Sequence, residues 1–450
     1  MKRLEALVTV CVALACTYSG SLGAAQIVSG PMLGVAAMRE AQLWFQADGP
    51  AHAHAEYWRS DQPQRRRRSP VVAVDQAGDF SAKIRFTGLQ PGTEYTYRLV
   101  LDDQRHVVSP PFHLRTQPLW QWRGNPPEFS AVFGSCAYFN EAAYDRPGTS
   151  YGGSTEIFSA MAQAKPDLVL WLGDNLYFRE ADFSPWAMAD RYRKTRALPE
   201  LQALLRTGQH AAIWDDHDYG PNDSNRSFIY KGQALELFKS YWPNPSFGLP
   251  QTPGIFTVVS FGDADFFMLD DRYYRDADSM PEDAQKTMLG REQLRWLQNA
   301  LLNSTATFKL IVNGSQIFND INRYEGWSNF RRERDGFVDW LTRAKLDGVL
   351  FLSGDRHHTE MFKVPRAGGY PLYEVTCSPL TAGTHPVEDE KNAPNLLPET
   401  LVGERNFCRI GFSGPRGHRS ISLSSHDVAG KRLWQVELGE QDLKMKSAQP

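Results

Sequence analysis

The chain has 450 residues, 42% of them hydrophobic and 22% charged, with a formal net charge of -3. That length is too great for one small domain and points to two or three, and the composition excludes a disordered or low-complexity chain. The near-neutral balance gives no global argument for nucleic acid or an anionic membrane as partner, and no nucleic-acid-binding domain is expected.

The first element is a targeting pattern. Lys2 and Arg3 precede an apolar stretch at 6–15, and small residues follow at 21–25. This is the layout of a signal peptide over 1–25, cleaved after Ala24 or Ala25, with an apolar core too short to cross a bilayer. The competing readings are a buried N-terminal helix and a lipid anchor on Cys16, for which Ala13-Leu14-Ala15 is a poor recognition sequence. No later run reaches the roughly 18 apolar residues of a transmembrane helix. An exported chain, periplasmic or secreted, is expected. Of its five cysteines, Cys11 and Cys16 leave with the peptide. The remaining three are an odd number for an oxidising compartment, so one thiol has another job. Cys136 is the candidate, leaving Cys377 and Cys408 to pair; the alternative is three free buried thiols.

Residues 26–118 read as all-β. Alternating patterns predict strands at 41–45, 53–58, 81–86, 95–100 and 112–114. The run Thr87-Gly88-Leu89-Gln90-Pro91-Gly92-Thr93-Glu94-Tyr95-Thr96-Tyr97-Arg98 resembles the strand-turn-strand of fibronectin type III sandwiches. The four arginines at 65–68 sit in a polar loop, read as solvated rather than as an anion-binding patch.

Residues 128–436 alternate strands and helices, an α/β pattern, and 437–450 reads as a tail. A helix capped by Ser154 or Thr155 ends before Pro166. Another spans 185–197, Pro199 interrupts it, and a short piece reaches Leu205. Further helices are expected at 233–241, 290–302 and 336–344, and a buried strand at 308–313.

Five apolar runs end in residues that bind metals. The run 130–133 enters Gly134-Ser135-Cys136, and 167–172 enters Gly173-Asp174-Asn175-Leu176-Tyr177. Residues 211–214 lead into Asp215-Asp216-His217-Asp218, 266–269 into Asp270-Asp271-Arg272, and 349–352 into Ser353-Gly354-Asp355-Arg356-His357-His358. Short apolar runs between helices are buried parallel strands, and ligands gather at the carboxyl ends of such strands. A carboxylate such as Asp174 bridges two cations with its two oxygens. Tyr177 offers a phenolate, Cys136 a thiolate and His357 an imidazole. Asp215, Asp216 and Asn222 are oxygen donors for a hard cation. His217 and Arg272 are donors to an anion. Carboxylates so clustered repel one another unless a cation lies among them.

Taken in order, these motifs resemble the PhoD-like alkaline phosphatases of the calcineurin-like metallophosphatase superfamily, over about three hundred residues. The resemblance implies a four-layer α/β/β/α core and a site with ferric iron and calcium. By the same resemblance Cys136, Asp174, Tyr177 and His357 would hold iron. Asp174, Asn222, Asp355 and one or both of Asp215 and Asp216 would hold calcium, with Asn225 the alternative to Asn222. The chain departs from the family in lacking a twin-arginine signal. The implied activity is metal-assisted hydrolysis of a phosphate mono- or diester, Arg272 and His217 offsetting phosphoryl charge and His358 or His217 protonating the leaving group. The alternatives are a phospholipase D-like or polymer-directed phosphodiesterase, and a non-enzymatic surface binding protein.

Overall fold

The computed structural model describes residues 25–101, 109–321 and 324–445. The expected signal peptide, with Cys11 and Cys16, lies outside them except for Ala25, as do residues 446–450.

The N-terminal part is all-β. Strands Ile27–Leu33, Glu40–Ala47 and Ser81–Thr87 form one antiparallel sheet. Ala51–Arg59, Glu94–Leu101 and Phe112–Arg115 carry the other, with Arg67–Arg68 and Val72–Val74 paired to Ala51–Arg59. The five expected strands are present, each a residue or more longer than its apolar pattern. The arginine run was expected to be loop throughout; instead Arg67 and Arg68 pair with Tyr57 and Glu56. Period-two alternation divides the labour of Glu40–Ala47: Leu43 and Phe45 enter the sandwich core, and Trp44 between them points the other way. Trp44 joins the larger core, its ring 5.6 Å from that of Tyr241.

Lys83 is a second link between the two parts. Its ammonium donates to the carbonyl oxygens of Lys239 and of Trp242. Burial holds its pKa down to about 8 from an ordinary 10.5. Between those values the unfolded chain binds more protons than the folded one, so this group's contribution to stability rises with pH across that window. Replacing Lys83 by Met is expected to flatten the stability profile from pH 8 to 10, read as denaturation midpoints of the two proteins. Parallel profiles would contradict it.

The larger part is built on two mixed six-stranded sheets. One runs in the spatial order Gln209–Ile213, Leu168–Leu172, Phe129–Gly134, Asn406–Ser413, Ser420–Asp427, Arg432–Gly439, its first three strands parallel. The other runs Thr257–Phe261, Ala264–Met268, Phe308–Val312, Val349–Ser353, Leu372–Thr376, Glu360–Val364, its middle four parallel. The sheets meet through phenylalanines: Phe412 of the first lies 5.7 Å from Phe308 and 6.1 Å from Phe266 of the second, ring to ring. The parallel strands Leu168–Leu172, Phe308–Val312 and Val349–Ser353 are buried along their whole length, as continuous apolar runs require.

Helices lie where prolines and caps place them. Pro185–Arg196 starts at the Ser184 cap, and Pro199 opens the separate Pro199–Leu205. Arg331–Arg343 begins five residues before the expected 336, because its first turn is polar and carries no apolar period. The last strand runs to Gly439, three residues past 436, and Leu443 beyond it is wholly buried. Cys377 and Cys408 are joined by a disulfide, and Cys136 is a free, buried thiol.

Candidate metal centre

The carboxyl ends of the parallel strands of both sheets converge. The turns that leave them are strained in one way. Cys136 (φ 62°), Asp174 (φ 51°), Asp355 (φ 68°) and His357 (φ 59°) all adopt the left-handed conformation that side chains normally avoid. Such strain persists where the surroundings impose it, and it clusters at functional sites. Close approach of the turns explains their glycines. A Cβ on Gly173 would lie 2.7 Å from the Cβ of Asp215, and one on Gly354 2.6 Å from the Cβ of Ser135.

Four side chains expected to bind iron meet. Tyr177 Oη lies 3.0 Å from Asp174 Oδ2 and 3.3 Å from His357 Nε2, and Cys136 Sγ lies 3.6 Å from the same Asp174 oxygen. The other Asp174 oxygen accepts the His217 amide at 3.2 Å, and Asp174 also belongs to a second donor group with Asp216 and His217. Asp174 is thus common to two neighbouring donor sets.

Electrostatics favour a cation here. Burial, then the charge of Asp355, pushes the Cys136 thiol up to about 12. Burial followed by the charges of Asp216 and Cys136 holds Asp174 well above the usual carboxylate range, and burial followed by the charges of Asp174 and Cys136 raises Tyr177. Burial pushes Asp355 up to about 6 and, with His385 beside it, His357 down to about 3. The imidazole is therefore neutral, as a metal ligand must be. Thiol, phenol and carboxyl are groups that a bound cation would deprotonate, so the donor chemistry fits a metal. Two orphaned oxygens support that fit: Asp215 Oδ2 and Asp271 Oδ1 are buried without a hydrogen-bond partner.

Arg272 lies beneath this cluster. Its side chain is wholly enclosed. Its Nε donates to Asp215 at 2.5 Å, and its two terminal nitrogens grip both oxygens of Glu325, which no strand-end motif revealed. Asp216 and Asp271 lie within 3.7 Å and 3.9 Å of it. Its donors are thus engaged by the surrounding acids. His358 also lies elsewhere, buried with Glu360 and Glu390. His217 stays at the centre, partly exposed, its ring 4.1 Å from that of Tyr177. Asn222 is exposed; the next residue's amide donates to Asp216 at 2.9 Å. The Asn225 side-chain oxygen is taken by the Ser227 amide at 3.0 Å. Asp218 is committed to structure, accepting from the amides of Asp174, Asn175 and Asp215.

A family model described as PhoD-like phosphatase matches residues 131–430. The chain belongs to the PhoD-like phosphatase family. A second model, described only as a domain of unknown function, matches residues 24–118. The chain is similar to alkaline phosphatase D of Bacillus subtilis (strain 168), 27% identical over 329 residues, covering 62% of this chain and 53% of that protein. It therefore spans about half the length of this curated relative. Among solved structures, that of PhoD superposes with a TM-score of 0.75 at 18% identity, covering 93% of this chain and 91% of that one. Purple acid phosphatase PPD1 from yellow lupin (Lupinus luteus) seeds superposes with a TM-score of 0.67 at 12% identity, covering 92% and 75%. Both show that the mixed α/β fold is shared.

The centre of this PhoD-like chain includes groups beyond the expected ligands. Ser378 Oγ donates to Cys136 Sγ at 3.1 Å, and Ser135 Oγ lies 3.4 Å from the same sulfur. Tyr151 Oη lies 3.1 Å from His357 Nδ1. The signal for Ser378 was present: Leu372–Thr376 is one more buried strand running into Cys377-Ser378. Tyr151 comes from an irregular segment and carries no such signal. Among the described residues, no helix is long and apolar enough to cross a membrane.

Proposed function

We propose that the protein is an exported, metal-dependent hydrolase of phosphate mono- or diesters. The convergence of Cys136, Asp174, Tyr177 and His357 on one point, with Asp174 facing Asp216 as well, is the observation that carries this reading. Membership of the PhoD-like family supports the reaction class. Ferric iron would be held by Cys136, Asp174, Tyr177 and His357. Calcium would be held by Asp174, Asp216, Asp355 and Asn222, with Asp215 alongside. The same reading includes a four-layer core, a fibronectin type III-like N-terminal sandwich and a signal peptide over 1–25. Bound cations supply Lewis acidity toward phosphoryl oxygens and lower the pKa of a water.

The chain's own groups do the rest. Asp174 keeps two donor sets in register. Ser378 stabilises a Cys136 thiolate by donating to its sulfur. His217, the partly exposed member, is assigned to the phosphoryl or leaving-group oxygen. In this reading Arg272 balances the acids, and the leaving-group role goes to His217 rather than to buried His358, whose Nε2 lies 3.1 Å from Glu360 Oε1.

Chelator is expected to abolish hydrolysis of p-nitrophenyl phosphate and its bis-ester, and calcium to restore part of it. Full activity in a preparation that metal analysis finds empty would refute the proposal. Replacing Cys136 by Ala should remove iron and most activity while circular dichroism stays unchanged. Retention of iron by that variant would remove the sulfur from the ligand set.

A further inference from the structure

We propose that His358, Glu360 and Glu390 bind one divalent transition cation, zinc being the best match, separately from the centre built on Asp174. Their ligand atoms all lie within 4.8 Å of one another and all three residues are buried, to 1%, 0% and 8% exposure. His358 Nε2 lies 3.1 Å from Glu360 Oε1 but makes no hydrogen bond with any group. The carboxylate oxygen is near the ring nitrogen and off the line along which that nitrogen donates or accepts. Two ligands of one cation stand in just this relation, roughly 3.0–3.4 Å apart when each bond is about 2.1 Å, because both point at a third atom.

Independent observations point to a missing partner. Glu360 Oε2 and Gln316 Oε1 are buried and make no hydrogen bond. Orphaned acceptors of this kind are costly unless something satisfies them. The charge is unbalanced as well. Glu360 and Glu390 are both buried here, and one guanidinium, that of Arg356, lies 2.8 Å from Glu390 Oε1. The outer groups already hold the ligands in place, as those around a metal do. Gln316 Nε2 donates to Glu360 Oε1 at 2.6 Å, and Asn319 Nδ2 donates to Glu390 Oε2 at 2.8 Å. One imidazole with carboxylates and no thiolate suits zinc among the divalent transition cations.

The position gives the site a purpose. His358 adjoins His357, and Glu360 begins the strand Glu360–Val364 that leaves the turn carrying Asp355. Glu390 belongs to the loop whose His385 ring lies 4.8 Å from that of His357. A cation here fastens that loop to the turn, and so positions His357. The proposal does not depend on the reaction assigned to the main centre.

The test is a metal count on the full chain. Protein stripped with chelator, reloaded with Zn2+ alone and desalted is analysed by mass spectrometry of the elements. Wild type is expected to hold one more zinc per chain than either Glu360→Gln or Glu390→Gln, and Cys136→Ala to keep that equivalent. Equal zinc in wild type and both variants overturns the proposal. If the variants do not fold, anomalous diffraction at the zinc edge from wild-type crystals decides: a peak bonded to His358 Nε2 and Glu360 supports the site, and its absence overturns it. Failure of phosphate ester hydrolysis would leave this count unchanged.

Discussion

Replacing Asp174 by Asn is expected to lower turnover by on the order of 10²–10³-fold or more, the scale on which one transition-state oxyanion donor acts. The substitution isolates charge from shape. Asn tolerates the left-handed backbone that Asp174 adopts at φ 51°. Its carbonyl oxygen can still accept the His217 amide, now 3.2 Å from Asp174 Oδ1. What disappears is the anion shared by the group of Cys136, Tyr177 and His357 and the group of Asp216 and His217. Two neighbouring cations would then repel across a neutral amide, so both should bind more weakly. The loss falls mainly on kcat, and KM changes less, because the bridging charge matters most where phosphoryl charge develops. Wild-type turnover together with full metal content in the variant would show that Asp174 is a turn residue only.

The path from sequence to this site was uneven, for physical reasons. Buried parallel strands leave continuous apolar runs, and the residue just after each run must serve the turn or a ligand; Cys136, Asp174, Asp216 and His357 were legible on that basis. Roles were less legible than positions. Arg272 follows a strand end as a phosphate-binding arginine would, but its surroundings depend on Glu325, 53 residues away in sequence. No local pattern announces that pairing. His358 differs from His357 only by which way one strand-end residue turns. The antiparallel strands Asn406–Ser413, Ser420–Asp427 and Arg432–Gly439 were not among the expected elements, although Ser420-Ile421-Ser422-Leu423-Ser424 carries the same period-two alternation that marked the N-terminal strands. The disulfide followed from counting: one thiol at the centre leaves two to pair.

Replacing Arg272 by Met is expected to destabilise the fold by about 3–5 kcal/mol, the cost of removing one partner from a buried ion pair. Asp215, Asp216 and Glu325 would remain enclosed without their guanidinium. Burial already raises Glu325 to about 8 despite Arg272 beside it, so the arginine's loss forces these acids to take up protons or to bind cations in its place. That makes the loss depend on metal. It should be largest after chelation and smaller when cations fill the acid cluster above, because they supply some of the missing positive charge. Arg272→Lys keeps the charge but not the two-pronged grip on Glu325, and should fall between the wild type and Met. Denaturant midpoints with and without metal, set beside kcat for the folded fraction, separate the two roles this arginine could have. A counter-ion gives lowered midpoints that metal partly restores, with activity tracking the folded fraction. An unchanged midpoint with kcat reduced about a hundredfold or more would instead place Arg272 on the substrate's phosphoryl oxygens.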